Sequence, residues 1–510
     1  MTGESPYEVL TFSPETICAA LANKHVASEI LLKESKITYL GDYLAAVGAE
    51  SIVVEHEYID GDYLDDYSQY YAKCFENYSR KCKRLHFFSA AISSQELDDA
   101  VRGSLDQDQC DRIRDAYLGF VVARPLPSAV IGRTALKTYP SDSGRRHYTA
   151  TRRYPVSLFG LDLQVHSLAF QEQDNVLAAC ATVALWCSFH KTADLFGTPI
   201  PTPAQITASA NEFVRNARPL PSHGLNIQQI CNAIRAVGLD PEVVSVNGSL
   251  PLVSLIYGHL RLGLPVILVA DIEGVGHHAI ALNGYSINPA PVMNCEVDPK
   301  TQGIPMTGLR INEFYGHDDQ IGPFSRIAIK PSATIGKKIY PVVFEGSWKD
   351  NTTGKLLAIY PEMVVIPVYH KVRVTFVDVQ AWLNRLHALV NLFLKGTTGV
   401  IWDVRLTTVN EFKKALRDSK PTDIVRQKLL FTGLPKYMWQ ATLSADGVEL
   451  LECLVDATDI MQSAPFVVLH CYNSDLQAAV HDALSEPSLH DALWKLLTPR
   501  FAELLKSKVN

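Results

Sequence analysis

"QEQDNVLAACATVALW" occupies residues 171–186. A polar cluster of Gln173, Asp174 and Asn175 runs into an unbroken apolar stretch, and Cys180 stands near its start between two alanines. From Ala178 to Trp186 the stretch is apolar on every helical face, the pattern of a helix buried in a core with only its tip at a surface. A cysteine placed for packing needs no polar approach. One at a helix N-terminus gains a lowered thiol pKa from the helix dipole and the free N–H groups there. Ala179 and Ala181 are small enough to let another backbone come close. Cys180 is therefore the candidate nucleophile. The side-chain amide of Gln173 and the Cys180 N–H form the candidate oxyanion pair.

Thiol chemistry also needs an imidazole to hold the proton and a group that fixes the tautomer of that imidazole. "GVGHHAIALNGYS" (274–286) places His277 and His278 at the head of an apolar strand. Alternation favours His278 as the base and leaves His277 as a neighbour or substrate-side residue. "FYGHDDQIGPF" (314–324) ends a further strand with His317, Asp318 and Asp319, and either carboxylate is able to orient the ring. A metal held by His277, His278, His317 and Asp318 lacks the regular ligand spacing of metal motifs, so neither metal nor cofactor is expected.

The order Gln, Cys, His, Asp resembles that of papain-like cysteine peptidases, and is similar in particular to bacterial double-glycine leader peptidase domains. "HAIALNGY" (278–285) is similar to the family's His strand, "LRLGLPVILVADI" (260–272) to the helix and strand before it, and "HDDQIG" (317–322) to the strand end that supplies Asp. The resemblance covers about residues 165–330. It implies an α+β fold whose central helix bears Cys180 and packs on an antiparallel sheet. It also implies a cysteine peptidase with Cys180, His278 and Asp318 as triad and Gln173 at the oxyanion. Asp319 stands where the family usually has Pro. The family's Gln lies six residues before Cys, the place Asp174 holds here, and Ala181 replaces a frequent Gly. Acyl transfer by the same triad is one alternative. A catalytically silent scaffold, its oxyanion hole unformed because of the shifted Gln, is the other.

The rest of the chain bounds these readings. At 510 residues, two to four domains are expected. The predicted division is an N-terminal α+β domain over 1–115, a thiol hydrolase domain over 116–334, and a C-terminal α+β domain over 335–510. The hydrophobic fraction of 47% excludes a disordered chain, and a net charge of −7 argues against nucleic acid as partner. The basic runs "SRKCKRLHFF" and "SGRRHYTATRRYP" are short and read as solvated faces. No apolar stretch reaches the ~18 residues of a membrane span, and the N-terminus has no signal-peptide pattern. Ten cysteines without a CxxC motif read as reduced thiols in a cytoplasmic protein. The expected partners are a protein or peptide substrate and a protein bound through one of the outer domains.

Overall fold

Apolar runs buried on both faces build many of the strands, strict alternation marks the hairpin of residues 152–167, and side-chain caps start most of the described helices. The computed structural model describes residues 5–174, 179–212, 224–290, 303–350, 352–394, 396–460, 466–486 and 505–506. The chain is α+β. Strands β1 (Tyr7–Thr11), β2 (Ser51–Tyr58), β3 (Cys82–Phe88), β4 (Tyr117–Ala123) and β5 (Ile131–Leu136) form an antiparallel sheet in sequence order. Helices α1 (Pro14–Leu21), α2 (Ser28–Leu31) and α3 (Ser35–Ala46) connect β1 to β2, and α4 (Gly61–Gln69) follows β2. Helices α5 (Ser94–Val101) and α6 (Gln107–Ala116) connect β3 to β4. The Ser93 hydroxyl accepts from Glu96 N at the start of α5. The short β6 (Arg146–His147) precedes the hairpin of β7 (Arg152–Leu158) and β8 (Leu161–Ser167).

Helix α7 (Cys180–Phe196) follows and stops at Gly197, which takes the left-handed conformation (φ 72°) that a side chain resists. Then come α8 (Pro203–Asn211), α9 (Ile227–Ala236), β9 (Leu239–Ser245) and α10 (Leu252–Leu260). Strands β10 (Val266–Ile272), β11 (Gly276–Ile287), β12 (Ile311–Asp318) and β13 (Gly322–Lys330) pair antiparallel in turn. A side hairpin of β14 (Ala333–Ile335) and β15 (Lys338–Tyr340) precedes β16 (Val343–Lys349) and the long β17 (Leu356–Tyr369). Strand β17 pairs with β16, with β9 and with β10, so the pairing closes on itself. A closed sheet leaves no free edge at that seam. A helix, Phe376–Val390, then leads to a separate antiparallel sheet of β18 (Ile401–Thr408), β19 (Tyr437–Ala445), β20 (Val448–Asp456) and β21 (Phe466–Cys471).

Both faces of the closed sheet are apolar. Along β10 and β11, Leu268, Ala270, Ile280 and Leu282 join one core with the C-terminal sheet. Ile267, Ala279 and Ala281 join a second core with Trp186, Phe189 and the N-terminal helices. The alanines let α7 lie close on the sheet, and its residues from Ala181 to Thr192 are all buried.

The expected boundaries at 115/116 and 334/335 are corrected. Strands β4 and β5 complete the N-terminal sheet, and β16 and β17 complete the closed one. The sequence pattern changes near both places, but backbone pairing across each sheet carries the chain past the change.

Candidate active site

Cys180 is the first residue of α7, and among the described residues no side chain caps that terminus. The first-turn N–H groups therefore remain directed at whatever approaches the sulfur. Cys180 is partly exposed, whereas Cys187, two turns further on, is fully buried, and burial pushes its thiol pKa well up. His278 lies on β11, 3% exposed, and lines the same cleft as the Cys180 side chain. Its Nε2 stands 3.0 Å from Asp318 Oδ1, which leaves Nδ1 as the ring nitrogen for the thiol. His277 points the other way. Its side chain is 75% exposed and its Nδ1 lies 3.0 Å from Glu362 Oε2.

Asp318 ends β12 and is itself held on three sides. Gln320 N donates to its Oδ1 at 3.1 Å, and Trp348 Nε1 donates to its Oδ2 at 2.8 Å. Burial alone would raise its pKa, but the facing imidazole and these donors outweigh it and hold the carboxyl below the usual range. For His278, burial acts to lower the pKa, and the charge and hydrogen bond of Asp318 overcome it, so the ring keeps its proton well above the ordinary value.

Asp319 lies 3.4 Å from the same Nε2 and is 3% exposed. Neither of its oxygens has a hydrogen-bond partner, and burial pushes its carboxyl pKa up. His317, once a metal candidate, is excluded from this group. Its Nε2 lies 3.0 Å from Leu168 O and its Nδ1 accepts from Phe324 N at 3.0 Å, so both nitrogens belong to the backbone.

The segment before Cys180 is strapped to the N-terminal sheet. Phe170 and Thr134 exchange backbone hydrogen bonds at 2.8 and 2.9 Å. Glu172 ion-pairs with Lys36 of α3, accepts from Ile131 N at 3.1 Å, and offers its carbonyl to Arg124 at 3.1 Å. Asp174 accepts from the Tyr71 hydroxyl and is buried, which directs its carboxylate toward the N-terminal part of the chain. Gln173, between these anchors, lines the cleft that holds Cys180, and Asn175 lies outside the described residues. That cleft measures about 690 Å³, and Leu225, Ile230, Val269, Val275 and Ala279 form its apolar wall.

Cys180, His278 and Gln173 thus line one cleft, and Asp318 stands behind His278. Neither Trp348 nor the Lys36–Glu172 pair carries a signal in the sequence. Trp348 belongs to a strand assigned to another domain, and a lysine far from the nucleophile carries no local signal. No family model, no curated protein and no solved structure matches the chain.

Proposed function

We propose that this chain is a thiol hydrolase with a papain-like core, acting as a peptidase on a protein or peptide. The reading is carried by one arrangement: Cys180 at a helix N-terminus, sharing its cleft with a histidine whose Nε2 is held by a buried aspartate. The Cys180 thiolate attacks the scissile carbonyl, and the oxyanion that forms is met by the Cys180 N–H and the Gln173 amide. His278 gives its Nδ1 proton to the leaving amine. It then takes a proton from water as that water attacks the thioester, which releases the acid and restores the thiol pair. Asp318 keeps the proton of Nε2 in place throughout. The apolar wall of the cleft suits a hydrophobic side chain of an extended peptide.

Among the described residues every cysteine is free and no helix is long and apolar enough to cross a membrane. A reducing, cytoplasmic setting agrees with both. The test is to expose whole-cell lysate to the wild-type chain and to Cys180→Ala and to compare new protein N-termini. Cleavages present only with the wild type support the peptidase. Adducts formed on added amines would instead indicate acyl transfer. Absence of both, with a Cys180 no more reactive than the other thiols, would leave the silent scaffold.

A further inference from the structure

Asp319 has no place in the chemistry above, yet it is buried beside the triad. Its two oxygens lack hydrogen-bond partners, and Oδ1 faces His278 Nε2 at 3.4 Å, while Asp318 Oδ1 faces it at 3.0 Å. Among the described residues, these three side chains are the group of potential metal ligands whose atoms converge, all within 4.8 Å of one another. Zinc bound tetrahedrally at ordinary bond lengths separates its ligand atoms by about 3.3 Å. The two nitrogen–oxygen separations bracket that value.

Charge points the same way. A buried carboxylate bears its charge at low cost only where a cation offsets it. A divalent cation on a neutral ring balances the two carboxylates completely. An orphaned carboxylate aimed at the shared nitrogen is what such an ion would occupy. Asp319 also forms part of a polar recess of about 380 Å³, lined by Glu34, Lys36, Glu172, Gln173 and Gln320, which gives an ion a route from solvent. One imidazole and two carboxylates suit zinc, cobalt or manganese, whereas calcium asks for six to eight oxygens.

We propose that His278, Asp318 and Asp319 form a binding site for a single divalent transition-metal ion, and that filling it silences the thiol centre. The metal would displace the proton of Nε2, which passes to solvent, and the ring keeps one proton at Nδ1. Giving that proton to a leaving amine would leave an imidazolate, so acylation stalls. The silencing rests on the thiol-hydrolase reading; the binding does not.

Cobalt(II) titrated into the full chain tests the site, because its spectrum separates nitrogen and oxygen ligands from thiolates. The expected result is one saturable, chelator-reversible equivalent without a thiolate charge-transfer band. Binding should weaken at least about tenfold in Asp319→Asn. No saturable binding, equal binding in Asp319→Asn, or a thiolate band would overturn the proposal. Should Asp319→Asn not fold, His278→Asn serves, with the same outcomes. Alkylation of Cys180 in the metal-free protein is the independent arm: a sluggish thiol there defeats the hydrolase reading while leaving the metal result to stand or fall alone. With a reactive thiol, zinc should abolish Cys180-dependent cleavage by the wild type and spare cleavage by Asp319→Asn. Inhibition equal in both would remove the silencing role.

Discussion

Trp348 donates its indole N–H to Asp318 Oδ2 at 2.8 Å, from a strand that begins 25 residues after β12 ends. Its ring also meets that of His278 edge to face, with centroids 5.1 Å apart. One side chain thus braces the orienting acid and walls the base. Trp348→Phe would keep the wall and delete the donor, leaving a buried carboxylate oxygen unpaired at a cost of about 1–3 kcal/mol. The expected outcome is lower stability in urea and an upward shift in the pH midpoint for alkylation of Cys180. An unchanged midpoint would show that the indole only packs.

His278→Gln removes the proton carrier without emptying the pocket. The labelling rate of Cys180 by iodoacetamide at neutral pH should fall about tenfold or more, toward that of an ordinary thiol with a pKa near 8.5. Mass spectrometry of the peptide containing Cys180 gives the rate directly. A variant labelled as fast as wild type would mean that the helix terminus alone activates the sulfur.

Lys36→Met tests whether the N-terminal sheet positions the site. Lys36 neutralises Glu172, whose side chain is 5% exposed, one residue before Gln173. Leaving that carboxylate unpaired should cost about 3 kcal/mol. Lys36→Met with Glu172→Gln should recover much of the loss, because no charge is then stranded. Failure of the double variant to recover would assign the effect of Lys36 to packing.

Gly322 pairs with Asp318 across the turn that carries Asp319, at φ +154°. A Cβ there would stand 2.3 Å from Tyr39 Cδ1, and the Tyr39 hydroxyl is itself anchored to Pro323 O at 2.9 Å. Gly322→Ala is expected to displace the turn, lowering both the unfolding midpoint and the reactivity of Cys180. A fully reactive, fully stable variant would contradict this account of the turn.

Burial holds His86 neutral down to about pH 4, and His190 and His317 down to about pH 3, against an ordinary value of 6.5. Between those limits the unfolded chain binds protons that the folded chain refuses. Their contribution to stability is therefore complete above about pH 6.5 and is lost as pH falls toward 3. His278 has the opposite sign: its raised value adds stability below 6.5 that is lost as pH rises through the folded value. Urea midpoints measured from pH 7.5 to 4 should fall on acidification. His190→Leu should flatten that fall, since both ring nitrogens of His190 are unpartnered. A steeper fall in the variant would reverse the assignment.

The sequence by itself determined what short-range physics controls. The all-round apolar run fixed α7 and left Cys180 at its tip, and alternation put His277 outside and His278 inside. Each is decided within one helical turn or a few strand residues. Tertiary structure alone decided which strands share a sheet, and so brought β16 with Trp348 to Asp318 and α3 with Lys36 to Glu172. It also chose between the adjacent carboxylates, giving Asp318 three partners and Asp319 none but a facing ring. Hydrogen bonds between distant strands cost chain entropy that no local pattern encodes, so neither the sheet's extent nor the acid's partners were legible before the chain was folded.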